Sequence, residues 1–141
     1  MESNASAKWT GSLTDGHGTI SSASGTLNAV SYSFATRFES AKGTNPEELI
    51  AAAHAACFSM AISAELGKAE IAPEAVETSA VVVLNKLETG FAVTESRLTS
   101  MVTAKGADRA KIEIAAASAK ENCPISKLLN AKISLELNIV A

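Results

Sequence analysis

The chain has few of the residues that most often carry chemistry or recognition. Its 141 residues include two cysteines, two histidines, three prolines, one tryptophan, one tyrosine and four phenylalanines. Two cysteines cannot build a four-cysteine zinc site, and His17 and His54 add no CxxC or HxxxH spacing, so a metal centre has little support. Charged residues make up 19%, below the roughly 25% usual for soluble domains. With 12 basic against 15 acidic groups and no cluster of Lys or Arg, the net charge of −3 draws no polyanion. Nucleic-acid binding and polybasic attachment to a membrane both lack a driving force. The segment MESNASAKWTGS has neither a basic n-region nor an apolar h-region, so no secretory signal is expected and a reducing cytoplasm is the default. In that compartment Cys57 and Cys123 are not expected to form a permanent structural bridge, while a transient or catalytic thiol pair stays open. No flavin, haem or other cofactor motif is present, and no repeat, low-complexity tract or linker divides the chain.

What the chain does have is small apolar side chains. The apolar fraction is 47% and 27 of those residues are Ala, which predicts one tightly packed domain over residues 1–141. Short β-like stretches at Ala7 to Leu13, Gly18 to Ala23, Thr26 to Asn28 and Tyr32 to Phe38 read as an antiparallel meander. The character changes at Gly43-Thr44-Asn45-Pro46-Glu47-Glu48. Asn45 suits a helix cap, Pro46 the first helical position, and the two carboxylates the positive end of the dipole. The helix is expected from Pro46 to Leu66 with Gly67 as its stop. Between Leu49 and Ala64 it carries no charge and is apolar nearly all round. That run is short of the about 20 residues that span a bilayer, so a buried core helix is the better reading. One thin sheet covers only one side of such a helix, so its other side is expected to meet a second helix or a second subunit.

Val76 to Leu87 and Phe91 to Thr103, split by Glu88-Thr89-Gly90, read as a long hairpin. Asp108 opens a helix over Arg109 to Lys120, and Asn122-Cys123-Pro124 precedes a short apolar turn at Ile125 to Leu129. Lys132 to Val140 alternates as a strand, with Ile133, Leu135, Leu137 and Ile139 on one face. The order β-β-β-α-β-β-α-β predicts an α+β fold with antiparallel sheet.

Local physics separates the two thiols. Cys57 lies mid-helix, where the dipole gives little help, and taken alone resembles an inert core thiol. Pro124 places Cys123 at the start of a helical turn, where backbone N–H groups favour a thiolate. His54 precedes Cys57 by three residues and shares its face, which keeps a Cys57-His54 hydrolase open beside the plainer role of a hydrogen-bonded packing histidine. A dimeric ligand-binding module with a structural Cys57 is a further alternative. His17, between glycines, is expected in a solvated turn. Arg37 is expected near a strand end beside Phe34 and Phe38.

Taken together, Thr36-Arg37-Phe38-Glu39, the run Gly43-Thr44-Asn45-Pro46-Glu47-Glu48-Leu49-Ile50-Ala51-Ala52-Ala53-His54-Ala55-Ala56-Cys57-Phe58-Ser59-Met60, and the distant Asn122-Cys123-Pro124 closely resemble the OsmC/Ohr family of thiol peroxidases. The likeness is nearest to the OsmC branch and runs the whole length, including Trp9-Thr10-Gly11. The resemblance implies antiparallel sheets wrapped around central helices in an intertwined homodimer. It implies reduction of organic hydroperoxides without a cofactor, in a setting of osmotic and oxidative stress. By the same likeness Cys57 is the peroxidatic cysteine, Cys123 the resolving cysteine, Arg37 the cation that stabilises the Cys57 thiolate, and Glu47 the carboxylate that orients Arg37. An external dithiol must then reduce the disulfide, of lipoyl type in the Ohr branch. Phe38, Phe58, Met60 and Ile125 would favour bulky alkyl hydroperoxides. Glu47 and Cys57, ten positions apart on one straight helix, are separated by about 15 Å. If both serve one site, the Arg37-Glu47 pair and the Cys57-Cys123 pair must come from different subunits.

Overall fold

A computed structural model describes residues 1–141. In chain order the elements are β1 (Ala5–Thr10), β2 (His17–Ser22), β3 (Val30–Ser33), α1 (Phe34–Phe38), α2 (Pro46–Lys68), β4 (Ala75–Leu87), β5 (Gly90–Thr103), α3 (Arg109–Asn122), α4 (Pro124–Leu128) and β6 (Lys132–Val140). The expected α+β order is present, with two short helices added. By internal contacts the chain divides into two compact units, Met1–Leu49 and Ile50–Ala141. α2 begins in the first and continues through the second.

In the first unit β1, β2 and β3 form an antiparallel meander. Gly18 is obligatory there, because a Cβ would lie 2.3 Å from the Tyr32 ring and 2.8 Å from that of Trp9. Those two rings pack with centroids 5.3 Å apart. Thr26 to Asn28 is a turn rather than a strand, folded back so that Ser22 donates its N–H to the Leu27 carbonyl. His17 opens β2 instead of occupying a turn.

The stretch expected as a strand through Phe38 stops at Ser33. Ser33 Oγ accepts the Thr36 N–H at 3.2 Å and Thr36 Oγ1 accepts the Ser33 N–H at 2.9 Å, a reciprocal cap that winds Phe34–Phe38 into a helical turn. Arg37 therefore projects from α1 and not from a strand. The start of α2 is as the sequence indicates: Asn45 Oδ1 accepts the Glu48 N–H at 2.9 Å, and Asn45 Nδ2 donates to the Thr36 carbonyl at 3.0 Å.

The second unit is a three-stranded sheet in the order β4-β5-β6 with helices against it. β4 and β5 form the expected hairpin, with a bulge between Val83 and Leu84. β6, however, pairs parallel to β5, so this sheet is mixed rather than antiparallel. The connection from Ala104 to Ala131 contains α3, long enough to carry the chain back along the sheet before β6 begins, as a parallel pair requires. α3 packs on β6, and the predicted apolar turn after Pro124 is the helix α4.

α2 is long and apolar enough, by length and composition, to cross a membrane. Yet His54, Phe58, Ile62 and Leu66 recur every fourth residue and are fully buried within protein, together with Leu98 and Val102 of β5 and Ile112, Ala115, Ala116 and Ala119 of α3. The inward side of β5 alternates Ser96, Leu98, Ser100 and Val102. Two of its small hydroxyls link to the helix, Ser96 directly to His54 and Ser100 by way of Thr78 of β4. Ser59 donates to Thr78 at 2.9 Å, and Thr78 meets Ser100 at 3.0 Å. The opposite side of α2 stays uncovered in the chain, where Ala52, Ala53, Ala56 and Ala64 flank a Met60 that is 76% exposed.

α2 runs past Gly67 to Lys68 and ends in a Schellman arrangement. Glu70 takes the left-handed conformation (φ 59°) while its N–H reaches the Gly67 carbonyl at 3.1 Å and the Ile71 N–H reaches that of Leu66 at 2.9 Å. A side chain is strained there, so Glu70→Gly should stabilise the protein by about 0.5–1 kcal/mol. Urea denaturation at constant slope reads this as a higher midpoint. An unchanged midpoint would show that the exposed turn absorbs the strain.

Candidate active site

Arg37 and Glu47 belong to the first unit and form a closed pair. Arg37 Nη2 lies 2.7 Å from Glu47 Oε1, and Arg37 Nε donates to both carboxylate oxygens at 3.3 and 3.2 Å. Such a fork fixes the guanidinium plane as well as its position. The Glu47 side chain is 11% exposed and that of Arg37 36%. The carboxylate is thus the buried anchor and the guanidinium the group on offer. The Arg37 Cζ lies 5.2 Å from the centre of the Phe38 ring. Beside this pair is a cavity of about 220 Å³ lined by Trp9, Leu13, Tyr32, Ser33, Phe34, Arg37 and Phe38. One side of its guanidinium therefore faces aromatic surface.

Cys57 and Cys123 belong to the second unit. Both are free thiols, with Cys123 fully buried and Cys57 part-buried. Cys123 and the Ile125 backbone N–H are the neighbours that act on the Cys57 thiol. Burial pushes the Cys57 thiol up from its ordinary value, the neighbouring Cys123 adds to this, and the Ile125 backbone N–H opposes it. Cys123 occupies the N-cap of α4 but its side chain makes no capping bond. No cation is among the groups that act on Cys57 within this unit.

His54 is fully buried, with Nδ1 2.7 Å from Ser96 Oγ of β5 and Nε2 2.8 Å from Ser126 Oγ of α4. Burial lowers its pKa, so the neutral imidazole is the resting form. Both ring nitrogens are engaged by serines, which leaves neither as a base for Cys57 and removes the support for a Cys57-His54 hydrolase. Ser96 and Ser126 were not singled out from sequence. The available signal was a serine at an inward position of an alternating strand, since a buried hydroxyl there must find a partner. Of the apolar residues expected near substrate, Phe58 is buried in the core, Ile125 is partly buried against it, and Met60 is exposed.

The OsmC-like protein family model matches residues 39–138. The chain belongs to the OsmC family. It is 48% identical over 133 residues to peroxiredoxin OsmC of Escherichia coli, covering 94% of this chain and 93% of that protein. It is 33% identical over 103 residues to the organic hydroperoxide resistance protein OhrB of Bacillus subtilis, covering 72% of this chain and 73% of OhrB. The crystal structure of OhrB from Bacillus subtilis superposes with a TM-score of 0.72, 31% identity, and 96% and 98% of the two chains covered.

Proposed function

We propose that this protein is a thiol peroxidase of the cytoplasm that reduces organic hydroperoxides to alcohols, working as a homodimer in which the two units of each chain form one OsmC/Ohr-like domain. The observation that carries the reading is the neighbouring pair Cys57 and Cys123, two free thiols brought together from distant parts of the chain. Relatives named peroxiredoxin and organic hydroperoxide resistance protein support the same class of reaction.

In the reaction the Cys57 thiolate attacks the distal peroxide oxygen, the O–O bond breaks, and the alkoxide leaves as the alcohol after taking a proton. Cys57 becomes a sulfenic acid. The Cys123 sulfur then attacks the Cys57 sulfur, water leaves, and a disulfide forms. An external dithiol returns both thiols to the reduced state. Arg37, oriented by Glu47, supplies the positive charge that favours the Cys57 thiolate. Glu47 and Cys57 stand about 15 Å apart along one helix, so the guanidinium at each thiol belongs to the partner subunit. The uncovered side of α2, with Met60 and its alanines, supports burial against a second copy. The aromatic cavity beside Arg37 offers apolar surface to the alkyl or aryl part of the peroxide.

The test is consumption of cumene hydroperoxide by the wild-type protein with a dithiol donor, followed by non-reducing mass spectrometry. One equivalent of peroxide should leave a chain lighter by two hydrogen atoms, and cumene hydroperoxide should react faster than hydrogen peroxide. Equal rates would remove the preference for organic substrates. No peroxide loss and no mass change would return the thiols to a structural role.

A further inference from the structure

Ser126 belongs to α4, the short helix that begins immediately after Cys123 and whose first turn neighbours the Cys57 thiol. Few other polar bonds hold this helix to the unit. Lys127 and Leu129 donate their N–H groups only to the carbonyls of Cys123 and Ile125, within the turn itself, and Leu128 is 74% exposed. The side-chain bond that ties α4 to the rest of the unit is Ser126 Oγ to His54 Nε2, at 2.8 Å. His54 is in turn held from the other side by Ser96 Oγ at 2.7 Å. The ring lies one helical turn before Cys57 on α2. The polar line Ser96, His54, Ser126 therefore connects β5, the helix of the first thiol and the helix of the second.

We propose that His54 is a positioning residue: through Ser126 it seats α4 so that Cys123 lies within reach of a Cys57 sulfenic acid. This rests on the assignment of Cys57 and Cys123 given above. His54 touches neither substrate nor sulfur in this role. A neutral ring suits it, since one nitrogen donates and the other accepts, matching hydroxyls that do either. A buried histidine serving only to fill space has no need of two serines from separate elements, and an apolar side chain of its volume would avoid the cost of satisfying two polar atoms.

The experiment uses the full-length protein, reduced and then treated with one equivalent of cumene hydroperoxide in the presence of dimedone, which traps sulfenic acid. Mass spectrometry reads the ratio of trapped adduct to disulfide. Ser126→Ala deletes the link to α4 with little change of volume. His54→Asn keeps a polar atom where Nδ1 stood and so retains only Ser96, whereas His54→Gln keeps one where Nε2 stood and retains Ser126. Ser126→Ala and His54→Asn should raise the adduct-to-disulfide ratio about three- to tenfold over wild type, the equivalent of one hydrogen bond. Ser126→Thr and His54→Gln should stay near the wild-type ratio. A role limited to stability would lower the melting temperature of these variants without sorting them by which nitrogen they replace. Wild-type ratios in Ser126→Ala and in every folded His54 variant, or equal behaviour of the Asn and Gln variants, would overturn the inference. If the wild-type protein forms neither adduct nor disulfide, the assignment of the thiols fails first and this inference falls with it.

Discussion

Cys57→Ser is expected to abolish turnover of cumene hydroperoxide, with a loss of about a thousandfold or more, while Cys123→Ser reacts once and stops. The asymmetry follows from the chemistry. A serine hydroxyl at position 57 is not ionised at neutral pH and cannot displace an alcohol from a peroxide. A serine at position 123 leaves the first attack intact but offers no sulfur to the sulfenic acid. The Cys123→Ser protein should therefore consume one equivalent of peroxide and accumulate Cys57 as a dimedone-reactive species. The proximity of Cys123 to Cys57 favours rapid closure in the wild type, so the same species should be scarce there. Equal activity of both serine variants and the wild type would show the thiols to be structural. A Cys123→Ser protein that turns over freely with monothiols would place the resolving step outside the chain.

Arg37→Ala should lower the rate by about tenfold or more at neutral pH, because a guanidinium beside a thiol lowers its pKa by a unit or more and a buried thiol has no other cation to draw on. Glu47 would also be left as a nearly buried carboxylate without its partner. Arg37→Lys should recover only part of the rate, because an ammonium cannot reproduce the fork to both carboxylate oxygens. The stronger test mixes subunits. Arg37→Ala chains still hold Cys57, and Cys57→Ser chains still hold Arg37. If each site takes Arg37 from one subunit and Cys57 from the other, an equal mixture allowed to exchange has one complete site in each mixed dimer, or roughly a quarter of wild-type activity. A mixture as inactive as its two components would place Arg37 and Cys57 of one site on the same chain.

The sequence made local features plain and left non-local ones hidden. Asn45 and Pro46 announce the start of α2 because a cap and a first-turn proline act within three or four residues. Glu88-Thr89-Gly90 announces the hairpin for the same reason, with Gly90 at φ 120°. The segment from Tyr32 to Phe38 misleads because its aromatics favour strand while Ser33 and Thr36, a cap closed by hydroxyls rather than by a glutamate, turn it into helix. The alternation of β6 identifies its buried face, but alternation is the same whichever way a strand runs, so parallel pairing with β5 is not written in it. The partners of His54 lie 42 and 72 positions away. No spacing rule reaches that far. Of the proposed site, the family resemblance supplies Arg37, Glu47, Cys57 and Cys123, while composition alone would have left Cys57 among the inert thiols.

The parallel pairing of β6 also bears on how the thiol pair comes into being. Cys123 lies on the connection between β5 and β6, and closing a connection of roughly 30 residues costs about 3 kcal/mol in chain entropy before any contact between its ends compensates. Hairpin β4-β5 and helix α2 are built from neighbouring residues, whereas the pair Cys57 and Cys123 spans 66 positions and relies on α3 to bring the second thiol back. In a chain still emerging from synthesis Cys57 appears 66 residues before Cys123, so for that interval its thiol is without its neighbour.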